Sequence, residues 1–116
     1  MRRPAALLLA AGLAATAATA AEPPRGRHDG RFCVTVAEAA PDCGPVQVDV
    51  LRQSRLRVRV ADIVYHLELH SSQLDVVLMH GAMQIDGFVA PYEWIDRALR
   101  FDDLEKRTRY ELTLTR

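Results

Sequence analysis

From Val46 onward, apolar residues recur at every second position. Val46, Val48 and Val50 alternate with Gln47 and Asp49, and Leu56, Val58 and Val60 alternate with Arg55, Arg57 and Arg59. Tyr65, Leu67 and Leu69 alternate with His66, Glu68 and His70. Leu74, Val76 and Leu78 follow, then Met83 and Ile85, and last Tyr110, Leu112 and Leu114 against Glu111, Thr113 and Thr115. A period of two marks antiparallel strands with one buried face. No stretch of similar length has a 3.6-residue period, and Tyr92 to Leu99 is the one candidate for a helical turn or two.

Residues that face each other across two strands lie on the same side of the sheet, so parity restricts the registers. Matching Leu69 with Leu74, Leu67 with Val76 and Tyr65 with Leu78 leaves Ser71-Ser72 as a two-residue turn. Matching Leu78 with Met83 and Val76 with Ile85 leaves His80-Gly81 as the next. In the first hairpin a two-residue turn at Gln53-Ser54 sets Val50 against Arg57. A three-residue loop, Gln53-Ser54-Arg55, instead sets Val50 opposite Val58 and Val48 opposite Val60. Matching Val60 with Tyr65 then places Arg57 opposite Glu68 as a cross-strand ion pair.

Adding Phe32 to Val36 before this meander, and Ala98 to Phe101 and Thr108 to Thr115 after it, gives seven or eight strands. Pro91-Tyr92-Glu93-Trp94 is the expected corner, and Asp102 to Lys106 the polar loop of the last hairpin. A one-sided antiparallel sheet of that width must curl or fold onto itself. The expected fold is therefore an all-β domain, either a small β-barrel or a flattened β-sandwich.

The first 21 residues have a different character. Met1, Arg2 and Arg3 precede an uncharged stretch from Ala5 to Ala21 that carries Leu7, Leu8, Leu9 and Leu13. This is the pattern of a cleaved secretory signal peptide, with Ala18 and Ala20 forming an A-x-A site and cleavage falling after Ala20 or Ala21. The apolar part is shorter than the roughly 20 residues of a membrane-spanning helix. Residues 22–31 then read as a flexible tether, because Glu22-Pro23-Pro24-Arg25-Gly26-Arg27-His28-Asp29-Gly30-Arg31 offers no apolar side chain to bury beyond the prolines. Residues 32–116 form the single domain. For an exported chain, Cys33 and Cys43 pair as a structural disulfide; their spacing is not that of a redox Cys-x-x-Cys.

Charge changes the picture little. The precursor's 15 basic and 15 acidic side chains become 13 and 15 once Arg2 and Arg3 leave with the leader. The basic residues form no stripe of the kind nucleic-acid binders use to displace counterions, so no nucleic-acid partner is expected. No Gly-x-Ser-x-Gly elbow, phosphate loop or calcium loop is present, and no nucleophile, base and orienting group assemble. An enzyme is not expected, and no cofactor is implied.

Two candidate chemistries remain. The first is a non-enzymatic exported domain that binds a protein or another macromolecule of the cell envelope. Its candidate contacts are the outward row Arg55, Arg57 and Arg59 together with Tyr92 and Trp94. The second is a periplasmic metal-binding protein using His66, Glu68 and His80, because imidazole and carboxylate donors suit zinc or copper. On a strand, His66 and His70 lie roughly 13 Å apart at about 3.3 Å per residue and do not share one ion. Met79 and Met83 read as core or hairpin filler.

Overall fold

The computed structural model describes residues 23–52 and 54–115; the expected leader, and Gln53 of the first hairpin, lie outside them. Among the described residues there are eight strands: β1 (Gly26–Val36), β2 (Asp42–Arg52), β3 (Arg55–Val60), β4 (Ile63–Leu69), β5 (Gln73–His80), β6 (Met83–Ile95), β7 (Ala98–Asp103) and β8 (Thr108–Leu114). Each pairs antiparallel with the next, and β1 pairs with β8 to close a barrel. Of the two expected architectures the barrel is the one formed. No described helix is long and apolar enough to cross a membrane.

The period of two sets the wall. Alternate residues of every strand point inward, and Val48, Val58, Leu74, Val76, Leu99 and Leu112 are almost wholly removed from water. Each such side chain contributes about 1.5–3 kcal/mol relative to its exposed state, which is what drives the sheet to close.

The β4–β5 register follows parity, with Leu69 facing Leu74, Leu67 facing Val76 and Tyr65 facing Leu78. Three other registers differ from the expectation. Val48 faces Val58 and Val50 faces Leu56, with Arg52 facing Arg55 and the register shifting between Val50 and Arg52. A bulge therefore absorbs the residue that parity assigned to a longer loop. Between β3 and β4, Val60 faces Ile63, so the turn is Ala61-Asp62 and Arg57 faces His66. The turn needs Ala61 at φ +55°, a left-handed conformation that alanine does not advertise. Between β5 and β6, His80 faces Met83 and Leu78 faces Asp86, with a shift between Leu78 and Met79. The turn is Gly81-Ala82, with Gly81 at φ +62°, and Met83, beside the turn, and Ile85, at the register shift, are exposed instead of entering the core.

Two segments expected to be irregular are strand. Residues 26–31, expected as tether, form the first half of β1 and pair with Val50 through Pro45 of β2. Their inward-side positions are Gly26, His28 and Gly30, facing Val50, Val48 and Val46; at Gly30, the buried one, an added Cβ would lie 2.9 Å from the Thr113 carbonyl oxygen and 3.3 Å from Val48 Cγ2. This half of the strand looks polar because its inward side carries two glycines and a half-buried histidine in place of apolar side chains. Likewise the corner expected at Pro91 to Trp94 lies within β6, and the helical turn expected over Tyr92 to Leu99 is the β6–β7 hairpin, turning at Asp96-Arg97.

Cys33 and Cys43 face one another across β1 and β2 and are disulfide-bonded. The bridge closes a short loop and stabilises the barrel by about 3 kcal/mol in the chain-entropy picture.

Gly30→Ala is expected to cost about 1–3 kcal/mol in urea unfolding, because the new methyl meets backbone. Gly87→Ala is expected to stay within about 0.5 kcal/mol: its added Cβ meets the flexible end of Gln84 at 3.0 Å. Equal costs for the two would remove the steric account of β1.

Candidate interaction surface

The barrel interior is occupied by the protein itself. Toward the end that carries the β7–β8 hairpin, Phe32, Tyr65, Phe88, Phe101 and Tyr110 form one aromatic cluster, with Phe101 and Tyr110 stacked at 4.9 Å and Phe32 edge-on to Tyr65 at 5.0 Å. Burial, then the nearby Tyr65, Asp103 and Asp86, push the Tyr110 phenol up to about 12. Functional chemistry is therefore sought on the outer wall.

That wall has a seam between β6 and the β7–β8 hairpin. β7 pairs with β6 only from Tyr92 to Ile95, with Tyr92 facing Phe101 as the final rung. The next rung would use Pro91, which has no N–H to give, and β7 ends two residues on at Asp103, so residues 83–89 lie beyond its reach. Residues 83–90 pair with β5 on one side, and among the described residues no ladder pair joins them to β7 on the other. Side chains fill the gap. Phe88 stacks on Tyr110 at 5.9 Å, and the Lys106 ammonium donates to the Asp86 carboxylate. That contact, joined by the Gly87 N–H, holds the Asp86 carboxyl below its ordinary value and raises Lys106 above its own.

Four of the seven exposed large apolar side chains among the described residues lie along β6 at the seam and at the tip of the facing hairpin. Met83, Ile85 and Val89 on β6 are 60%, 47% and 60% exposed, and Leu104 at the hairpin tip is 71% exposed. A groove of about 270 Å³ lies where the ladder ends, lined by Pro91, Tyr92, Glu93, Arg100, Phe101 and Asp102. Of the residues expected to touch a partner, Tyr92 lines this groove, and its hydroxyl donates to the His70 carbonyl. Trp94 is half-buried and packs against the core, as a plug would. Met83, Ile85 and Val89 were not anticipated as a surface. The available signal was the short span of β7 between the turn after Ile95 and the polar loop after Asp103, which cannot reach residues 83–89 of β6.

The arginine row lies elsewhere, on β3, and is already engaged. Arg59 and Arg57 approach Asp49 at 3.3 and 4.0 Å, as does Arg27 at 3.4 Å, while Arg55 lies 4.0 Å from Glu68. The expected Arg57–Glu68 pair is thus Arg55–Glu68, a consequence of the tighter β3–β4 turn. Covered in part and facing Arg57 and Arg59, the His66 imidazole is held below its ordinary value, by burial first and the two guanidiniums second.

The expected metal set does not come together. His80 sits at the β5–β6 turn with Nε2 3.1 Å from Asp62 Oδ2, an interaction that lowers the Asp62 carboxyl. His66 faces Val77 and Arg57. Glu68 instead faces Asp75, and His70, just past the end of β4, lies 3.1 Å from Asp75. One donor atom from each of Glu68, His70 and Asp75 lies within 4.8 Å of the others.

No family model, curated protein or solved structure matches the chain.

A depressed imidazole makes the folded barrel bind fewer protons than the unfolded chain, so its contribution is complete above about pH 6.5 and declines as pH falls through that value. His66→Gln is expected to flatten the fall in stability between about pH 7.5 and 5.5, measured by urea unfolding at each pH. A steeper fall in the variant would contradict the placement of His66 beside the two arginines.

Proposed function

We propose that the chain is an exported, non-enzymatic β-barrel that binds a partner protein of the cell envelope by adding an extended segment of it to the open edge of β6. The observation that carries this is the seam: residues 83–90 lack a ladder neighbour on one side and present Met83, Ile85 and Val89 beside that edge. Unpaired strand edges recognise extended segments through main-chain hydrogen bonds, with side-chain contacts setting the choice of partner. Each such bond contributes about 0.5–1.5 kcal/mol net.

The edge is partly blunted. The register shift falls beside Ile85, and the Gly87 N–H is taken by the Asp86 carboxylate at 2.8 Å. Bulges and charges of this kind discourage indiscriminate pairing and leave a restricted register for a cognate strand. Export rests on the leader of residues 1–21, and a disulfide-bonded pair fits an oxidising compartment.

A photo-crosslinking residue placed at position 89 in the exporting cell is expected to give a discrete heterologous adduct that position 59, on the arginine face, does not. The purified partner is then expected to bind at least tenfold more weakly to Val89→Lys, with the variant's circular dichroism unchanged. Adducts from position 59 alone, an adduct of two copies of this chain, or undiminished binding by the variant would overturn the assignment.

A further inference from the structure

We infer that Glu68, His70 and Asp75 form a surface site for a divalent transition-metal ion of the zinc class, at the β4–β5 turn. The site borders β6, since Asp75 faces Val89, but its donors come from β4 and β5 and it does not depend on the partner proposed for the edge. Glu68 and Asp75 are directly opposite on the outer face of β4 and β5. Two carboxylates in that relation repel each other, and sheets avoid the arrangement unless a positive charge offsets it. Arg55 approaches Glu68 no nearer than 4.0 Å, and His70 Nε2 touches Asp75 at 3.1 Å. A cation bound between the two carboxylates relieves the conflict more completely than either neighbour.

The donors suit such an ion. Zinc takes imidazole nitrogen and carboxylate oxygen at about 2.0–2.2 Å, so ligand atoms around it stand roughly 3.3 Å apart. The three donors already lie within 4.8 Å of one another. Their side chains are about half exposed, free to rotate through the remaining distance and reachable from solvent. An imidazole with two carboxylates favours zinc over calcium, which prefers oxygen alone, and the absence of thiolate disfavours Cu(I). Water would complete a tetrahedron.

The backbone beneath the donors is tied on both sides. The His70 N–H donates to the Gln73 carbonyl at 2.8 Å, and the His70 carbonyl accepts from Tyr92 on β6. The Leu69 N–H donates to the Ser54 carbonyl on the neighbouring turn. Such anchoring reduces the ordering needed when an ion arrives.

The test is calorimetric titration of the disulfide-intact protein with zinc chloride, alongside NMR of the histidine rings. One site of micromolar or tighter affinity is expected, with shifts confined to the His70 ring and to residues 68–75. His70→Ala and Asp75→Asn, both at exposed positions, are each expected to weaken binding at least tenfold, whereas His80→Ala leaves it unchanged. Millimolar or weaker affinity, insensitivity to both variants, or loss on His80→Ala would overturn the site.

Discussion

Closure of the sheet is the constraint on which the rest of the structure depends. A ring of eight strands removes every sheet edge only if the first and last strands meet, and here β1 and β8 meet across Gly30 and Leu114 to Val36 and Thr108. At Gly30 the Thr113 carbonyl comes so near that a methyl has no room. The polar look of the N-terminal half of β1 and the disulfide one strand over belong to the same event. A chain of this size has little core to spare, and fixing β1 to β2 through Cys33 and Cys43 holds the closing strand in place.

Among the described residues the ladders stop short in several places: residues 42–46 of β2 have no partner on β3, residues 26–28 of β1 lie beyond the last β8 rung, and residues 83–90 of β6, the longest of these stretches, have no partner on β7. At β6 the partner strand β7 ends at Asp103, short of residues 83–89, so the barrel is sealed there by Phe88, Phe101 and Tyr110 inside and by Lys106 on Asp86 across the rim. Side-chain sealing leaves main-chain groups without sheet partners, and that distinguishes this wall from the arginine wall. On β3 the charges are satisfied by Asp49 and Glu68. Exposed apolar side chains and an open ladder coincide only at β6, which is why recognition of a strand is assigned there and not to the arginine row.

Much of the fold was legible in the sequence, and particular residues explain the remainder. The β4–β5 hairpin follows from parity alone because Tyr65 to Leu69 and Leu74 to Leu78 alternate without interruption around a two-residue turn. Parity cannot locate an extra residue, so the shifts near Leu51 and Ile85 moved two registers. Ala61 in a left-handed turn carries no glycine or asparagine to betray it. The candidate metal donors were closer to legible. The pairing of Leu69 with Leu74 already sets Glu68 against Asp75, but strand spacing set His70 aside, since it treats a residue beyond the strand end as if it still lay in the ladder. The open edge needed a different insight, that β6 runs 13 residues against the 6 of β7 and so outlasts its neighbour.

The central claim is that residues 83–90 of β6 are laddered to β5 on one side and open on the other, while β1 and β8 are joined by a continuous ladder. Residue-resolved amide hydrogen exchange on the native, disulfide-intact protein tests it most directly. The account predicts strong protection for the amides that join β1 to β8, and fast exchange for amides of residues 83–90 that point away from β5. Uniform protection around the barrel, β6 included, would contradict it.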